Sequence, residues 1–360
     1  MIKRPVLLID EKKCRSNINQ MARKAAGKKL TLRPHFKTHQ SLEIGRWFKE
    51  AGVDRITVSS VTMAEYFSGE WDDITIAFPV NILEIDEINL LAERISLNLL
   101  IESAETALFL KDNIDHDIGI FIKIDVGYNR TGIVPDNTDA IESILKVLQS
   151  ADKLKFRGFL SHAGHTYNCR SRSEIIEISN RSVSIMDELK DRYRREYPEL
   201  ITSLGDTPSC SVADDFGTTD EIRPGNYVFY DLTQHQISSA GIGDISVAMA
   251  CPVVAVHEER NEIVIYGGGV HFSKESMTDD EYGVIYGRAV APVHDGWTDL
   301  IPGMYLKKLS QEHGIVHLPD SEIANYKPGD IILILPVHSC MTGNLMKSYQ
   351  TFDGRIIDRL

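Results

Sequence analysis

Lys37 stands in the run Leu32-Arg33-Pro34-His35-Phe36-Lys37-Thr38-His39, and its surroundings set out a possible chemistry. The apolar stretch Leu30 to Lys37 reads as a strand, and Thr38 to Gly52 as an amphipathic helix. A lysine at the C-terminal end of a strand points out of a sheet edge rather than along a solvated helix face. Arg33, His35 and His39 lie beside it in sequence. Cationic neighbours lower a lysine's pKa, and a neutral amine is the species that adds to an aldehyde to form a Schiff base. A lone lysine at a strand end is ordinary solvated surface. This one has company along the chain.

Asp125-Val126-Gly127-Tyr128-Asn129-Arg130-Thr131-Gly132 follows an apolar run and carries Arg130, which could pair with an anionic oxygen. Ser161-His162-Ala163-Gly164-His165-Thr166-Tyr167 offers His162 and His165, which are acid/base groups or simply loop histidines. Ser203-Leu204-Gly205-Asp206-Thr207-Pro208-Ser209 and Arg223-Pro224-Gly225-Asn226-Tyr227 are glycine-containing turns rich in polar side chains. Backbone N–H groups in such turns can cradle a phosphate. Near the C-terminus, His338 and Cys340 follow the strand-like run Ile331 to Pro336. Residues two apart on an extended segment face the same side, so a histidine nitrogen and a thiolate could chelate one metal ion. Nitrogen with sulfur favours Zn²⁺ over Mg²⁺ or Mn²⁺.

The elements that position these groups alternate. Strand candidates fall at 30–37, 55–60, 74–80, 95–103, 118–126, 156–164, 201–207 and 221–224. They are rich in Ile, Val, Leu and Phe without strict alternation, which suits strands covered on both faces. Helix candidates fall between them at 42–51, 62–68, 83–93, 104–113, 137–151 and 173–196, with Ser209 to Thr219 ambiguous. The pattern predicts an α/β fold, a (β/α)₈ barrel over residues 1–235. In such a barrel the chemistry sits on loops after the strands' C-terminal ends, often with a phosphate site after strands seven and eight. Every group above except the metal pair lies on such a loop. Clear helices then stop, and 236–360 reads as a mostly β domain, with strands at Ile245–His257, Glu262–Gly268, Gly314–Leu318 and Asp330–Val337. The segment 5–9 could join either part.

Composition narrows the rest. The 360 residues are 42% hydrophobic and 25% charged, enough for a large core. A formal net charge of -13 without a basic run argues against nucleic acid. Five scattered cysteines imply no disulfide framework and fit a reducing, cytoplasmic setting. The N-terminal apolar run is too short for a signal peptide, and nothing approaches a membrane span.

A reactive lysine, phosphate-type turns and an arginine at one opening suggest pyridoxal 5'-phosphate. The sequence resembles the alanine-racemase-like, fold-type III pyridoxal-phosphate enzymes, and most of all the D-serine dehydratase and D-threonine aldolase family. The likeness rests on the Arg33–His39, Asp125–Gly132, Ser203–Pro208 and Arg223–Tyr227 runs and on Pro336-Val337-His338-Ser339-Cys340. It implies Lys37 as the Schiff-base lysine and a phosphate held by Gly205, Asp206, Thr207, Gly225 and Asn226. It also implies Arg130 and Tyr167 near the cofactor, a divalent metal on His338 and Cys340, and a head-to-tail homodimer. Asp206 departs from the small neutral residue usual in that turn; its carboxylate should point away from a phosphate. Cysteine at position 340 matches the dehydratase-like members, whereas the aldolase-like members use aspartate there. The expected activity is removal of the hydroxyl of D-serine to give pyruvate and ammonia. The alternatives are aldol cleavage to glycine and an aldehyde, and racemisation. A non-catalytic cofactor carrier leaves the C-terminal third unexplained, and a phosphosugar barrel leaves the metal pair unexplained.

Overall fold

The computed structural model describes residues 2–360. They form two compact units, one of Asn19–Gly225 and one of Asn226–Leu360 together with the N-terminal segment ending at Ile18. The first strand, β1 (Val6–Ile9), belongs to the second unit's sheet.

Eight strands of the described residues build the first unit: β2 (Thr31–Leu32), β3 (Ile56–Val58), β4 (Asp73–Pro79), β5 (Ser96–Ile101), β6 (Ile118–Ile124), β7 (Leu154–Ser161), β8 (Ile201–Leu204) and β9 (Glu221–Ile222). All neighbours are parallel, in the order β2-β9-β8-β7-β6-β5-β4-β3. A parallel bridge between His35 and Thr57 joins the two edges and closes the barrel. Every residue of β6, Ile-Gly-Ile-Phe-Ile-Lys-Ile, is buried, as expected of a strand covered on both faces. Five of the intervening helices begin alike. Ser41, Ser60, Ser103, Asn137 and Ser171 each accept the backbone N–H three positions on, ahead of helices at Leu42–Glu50, Val61–Ser68, Ala104–Asn113, Thr138–Gln149 and Arg172–Tyr193.

The strand expected over 30–37 is shorter. Regular pairing covers Thr31–Leu32, touches the sheet again at His35, and gives way to a turn at Phe36. Pro34 has no N–H to donate to a ladder. Phe36 leaves the sheet for an aromatic cluster, with ring centroids 4.9 Å from Phe48, 5.0 Å from Phe67 and 5.1 Å from Trp71. The segment Glu11–Gly27, which carries no expected element, is a helix.

The second unit contains β10 (Val247–His257), β11 (Glu262–Tyr266), β12 (Met277–Asp279), β13 (Gly283–Ile285), β14 (Gly287–Val293), β15 (Gly296–Leu309), β16 (His313–His317), β17 (Ile331–Pro336), β18 (Ser348–Gln350) and β19 (Ile356–Asp358). Its main sheet runs β11-β16-β15-β14-β17-β10-β1-β18-β19, and β10 also pairs with β11, closing a ring of six. Leu8, Leu232, Ala248, Ala250, Val290, Trp297, Leu333 and Leu335 pack together in its core. Among the described residues no helix is long and apolar enough to cross a membrane.

Candidate active site

The parallel strands of the barrel all end on one rim, and the groups singled out from the sequence up to Gly225 lie on the loops that follow. Lys37 is exposed in the four-residue turn after His35, while Phe36 and His39 on either side are fully buried. Anchoring both flanks in the aromatic cluster fixes the turn and leaves Lys37 outward. Its backbone N–H donates to His35 Nδ1 at 3.4 Å, and its carbonyl accepts from Gln40 Nε2 at 3.0 Å.

The basic neighbours expected to act on Lys37 are placed differently. Arg33 points into the barrel, where its Nε donates to Glu221 Oε2 at 2.6 Å and its Nη1 to Asp73 Oδ1 at 2.6 Å. His39 lies in the aromatic cluster, its Nδ1 accepting from Ser41 N at 3.1 Å. Burial, with the charges of Lys37, Arg223, His162 and Arg130, holds His35 well below the ordinary histidine pKa, so it is neutral. The cations around the rim come instead from Arg130, Arg223 and Lys123.

Lys123 has no role in the sequence-based expectations, and Arg223 enters them only as the first residue of the Arg223–Tyr227 run. Lys123 is 4% exposed at the end of β6, and burial together with Arg223 and Arg130 lowers its pKa to about 7. The signal was a single lysine inside an apolar strand. Arg223 is buried, donates through Nε to Ser203 Oγ at 2.7 Å and also to the Ser161 carbonyl, and burial lowers its pKa to about 10. Ser203 Oγ in turn donates to Glu221 Oε1 at 2.6 Å. A buried polar chain, Asp73–Arg33–Glu221–Ser203–Arg223, therefore runs through the barrel interior.

After β6, Asp125 Oδ1 accepts from the N–H groups of Gly127, Tyr128 and Asn129 at 3.0, 2.9 and 3.1 Å, shaping the loop. Arg130 is exposed there, its guanidinium 4.9 Å from the Tyr128 ring centroid. Tyr128 stacks on His165 at 6.1 Å and meets His162 edge-on at 5.9 Å. Gly164 makes this possible, because a Cβ there would lie 2.4 Å from the Tyr128 ring. His162 Nδ1 donates to the Gly205 carbonyl at 2.5 Å, which leaves Nε2 as the acceptor. Burial and then the charge of Lys37 hold His162 neutral, well below its ordinary pKa, and burial also lowers His165. Tyr167 is half-buried in the short turn Gly164–Asn168.

Two glycines form the turn floor. A Cβ on Gly205 would sit 2.8 Å from Arg223 N, and one on Gly225 would sit 2.7 Å from the His35 carbonyl oxygen. Gly225 N–H donates to Thr207 Oγ1 at 3.2 Å. Asp206 points inward: its Oδ1 accepts from Ser209 N at 2.7 Å and Thr166 Oγ1 at 3.0 Å, capping the helix Thr207–Val212. Burial raises its carboxyl to about 6 despite those bonds. Behind it lies a small cavity lined by Ser161, Ser179, Ser182 and Ser209. Close backbone approach at the two glycines and the Thr207 hydroxyl fit a phosphate, and the Asp206 carboxylate is turned away from it.

In the second unit, β17 ends at Pro336 and Cys340 stands in the first turn of the helix Ser339–Leu345, with His338 as its N-cap residue. The segment is therefore not extended through both residues; the turn into the helix brings the side chains together. Burial opposes charge on His338, but a hydrogen bond to Cys340 and its charge, then Asp231 and Glu275, outweigh it and raise the pKa to about 9. Imidazole and thiol thus face one point, the arrangement two ligands of one metal ion would need. Among the described residues no third His, Cys, Asp or Glu completes a cluster with them. Asn226 sends its side chain to this pair and not to the phosphate-type turn: Nδ2 donates to Asp231 Oδ2, Ser339 Oγ and Cys340 Sγ at 2.7, 3.0 and 3.4 Å.

Comparison with known proteins agrees in two halves. Residues 9–232 match the family model "Alanine racemase, N-terminal domain", and residues 246–352 match "Putative serine dehydratase domain". A D-serine dehydratase of Dictyostelium discoideum is 27% identical over 398 residues, covering 98% of this chain and 95% of that one. A D-threo-3-hydroxyaspartate dehydratase of Delftia sp. (strain HT23) is 27% identical over 369 residues, with the same coverage of 98% and 95%. A solved structure of that dehydratase, a cysteine-to-alanine variant in the metal-free form, has a TM-score of 0.91 at 25% identity and covers 100% of this chain and 98% of that one. A histidine two positions before that cysteine has also been replaced in the same enzyme. The fold is shared as well with a D-threonine aldolase of Filomicrobium marinum, TM-score 0.84 at 21% identity, covering 98% and 94% of the two chains.

Proposed function

The chain belongs to the alanine-racemase-like, fold-type III pyridoxal-phosphate enzymes of the D-serine dehydratase and D-threonine aldolase kind, and from that membership we propose that it is a D-serine-dehydratase-like lyase. It acts on D-3-hydroxy amino acids, and the reaction proposed is the conversion of D-serine to pyruvate and ammonia. The observation that carries this reading is the His338/Cys340 pair, an imidazole and a thiol brought into hydrogen-bonding contact where β17 turns into the helix Ser339–Leu345.

Lys37 is assigned to the cofactor's carbonyl carbon. Gly205, Thr207 and Gly225, with the backbone of Asp206 and Asn226, are assigned to its phosphate. Arg130 and Tyr167 are assigned to positions around its ring. Bound there, pyridoxal phosphate supplies an electron sink for the charge that develops at the substrate's Cα. Lys37 Nζ would hold the cofactor's carbonyl carbon and, when free of it, would take the Cα proton. His338 Nε2 or Nδ1 and Cys340 Sγ are assigned to one Zn²⁺, which supplies a Lewis acid for the β-hydroxyl. His162 keeps Nδ1 on the Gly205 carbonyl and so offers Nε2 as a neutral acceptor. His165 is the second neutral imidazole of the rim.

None of the five cysteines is in a disulfide, which supports the reading of a cytoplasmic protein. Exposed Phe78 in β4, Leu83 in the turn after it and Val134 after β6 support burial against a second copy in a homodimer.

The test is product identification after incubation with D-serine and with D-threonine. Keto acid and ammonia from D-serine support the reading. Glycine and an aldehyde from D-threonine, without keto acid from D-serine, would replace it with the aldolase. Epimerised amino acid alone would replace it with a racemase.

A further inference from the structure

Asn226 and Asp231 sit in the second unit with a bonding pattern that the phosphate assignment leaves unexplained. Asn226 is 3% exposed and Asp231 1% exposed. Asp231 Oδ2 accepts from three donors, Asn226 Nδ2 at 2.7 Å, Ser339 N at 3.0 Å and Ser339 Oγ at 3.1 Å. Its other oxygen accepts from Gln234 N at 3.0 Å, fixing the carboxylate as the N-cap of the helix Leu232–Gln236. Three donors converging on one oxygen make it an acceptor only.

That carboxylate decides which way the Asn226 amide faces. The two ends of an asparagine amide are nearly equal in shape and differ in chemistry. Turned over, Oδ1 would oppose Asp231 Oδ2, oxygen against oxygen. The amide therefore presents its NH₂ to Asp231, and the same NH₂ reaches Ser339 Oγ at 3.0 Å and Cys340 Sγ at 3.4 Å. The cost is visible on the other side, where Asn226 Oδ1 is buried without a hydrogen-bond partner among the described residues. A buried acceptor left unpaired is unfavourable, so the orientation is held by Asp231 and not by a balance of equal choices.

We propose that Asn226, oriented by Asp231, is a positioning residue for the metal pair, donating an N–H to the Cys340 sulfur and so fixing the thiolate and tuning its electron donation to the ion. The inference rests on the proposed metal reading of His338 and Cys340. A donor aimed at a ligating sulfur withdraws charge from it, and outer partners of this kind set both affinity and ligand geometry. Asp231 orients Asn226, and its charge also lies close enough to His338 to act on it directly.

The experiment compares wild type with Asn226→Ala, Asp231→Asn and Cys340→Ala, each as the cofactor-loaded protein. Zinc affinity is measured by competition with a chromophoric chelator, and the thiolate-to-cobalt charge-transfer band is recorded after Co²⁺ replacement. Near-UV circular dichroism and the cofactor absorbance report folding. Asp231→Asn keeps the Asn226 side chain, removes the charge that orients it and also alters the bonds to Ser339 and Gln234, so it serves as the second variant where Asn226→Ala does not fold. Both variants are expected to bind zinc about 10–100-fold more weakly and to move the cobalt band to longer wavelength, with the cofactor absorbance unchanged. Wild-type affinity and an unmoved band in both, while Cys340→Ala loses the metal, would overturn the inference and leave the metal pair standing. Wild type without zinc, or Cys340→Ala binding it equally, would overturn both.

Discussion

Replacing Asp206 by asparagine should stabilise the protein at neutral pH and do almost nothing in acid. Asp206 is 5% exposed, and burial lifts its carboxyl from 3.8 to about 6 in the folded chain. The folded-state pKa lies above the unfolded one. Below about pH 4 the group is protonated in both states and costs nothing; as pH rises through 4 to 6 the folded chain must ionise a buried acid, and stability falls. At 1.36 kcal/mol per pH unit the full cost above pH 7 is about 3 kcal/mol. Asparagine keeps the cap, because its oxygen can accept from Ser209 N and Thr166 Oγ1 as Asp206 Oδ1 does. Its new NH₂ must find an acceptor among the serine hydroxyls of the adjoining cavity, which takes back about 1 kcal/mol. The expected net gain is about 2 kcal/mol near pH 8 and about zero near pH 4.5. Urea unfolding of wild type and Asp206→Asn, followed by tryptophan fluorescence at the two pH values, measures it. An equal gain at both, or a loss near pH 8, would refute the reasoning.

Borohydride reduction of the yellow holoenzyme followed by peptide mapping should place the pyridoxyl label on Lys37; a label on Lys123, the buried lysine of the same rim, would exchange their roles. Gly225→Val should weaken cofactor binding at least about tenfold, since even a Cβ would lie 2.7 Å from the His35 carbonyl oxygen. Unchanged affinity in a folded variant, read by titration of the absorbance, counts against the turn as a phosphate floor. Glu221→Gln should destabilise the chain by about 3 kcal/mol, because it strips charge from a partner of the buried Arg33. A urea midpoint within error of wild type would show that Asp73 suffices.

What the sequence made legible follows from how each residue is used. The apolar barrel strands could be read because both faces are covered, so Ile118 to Ile124 shows an apolar run interrupted only by Gly119 and Lys123. The helix Glu11–Gly27 escaped notice because its inward stripe is Cys14, Asn17, Ile18, Met21 and Ala25, too polar and too small to show as a period. The long hairpin of β14 and β15 was hidden for a related reason. Its register shifts twice, between Arg288 and Val290 and between Val290 and Pro292, which breaks the alternation of faces. At the site, glycine turns and the His-x-Cys spacing were visible, but the partners of the charges were not. Arg33 looked like a neighbour of Lys37 and proves to be bound to Glu221, 188 positions away. Asn226 belonged by sequence to the phosphate-type turn, whereas its side chain answers to Cys340, 114 positions on. Long-range pairings of single polar residues leave no local pattern, so the fold was easier to read than the wiring of its site.

The most direct test of the account is the rate of pyruvate formation from D-serine by the isolated enzyme, by the enzyme after chelation, and by the same sample after Zn²⁺ is returned. Turnover is expected first, then loss of turnover with the yellow cofactor still bound, then recovery on zinc addition. Full pyruvate formation by the chelated, metal-free enzyme would contradict the assignment of His338 and Cys340 and with it the proposed route for the departing hydroxyl.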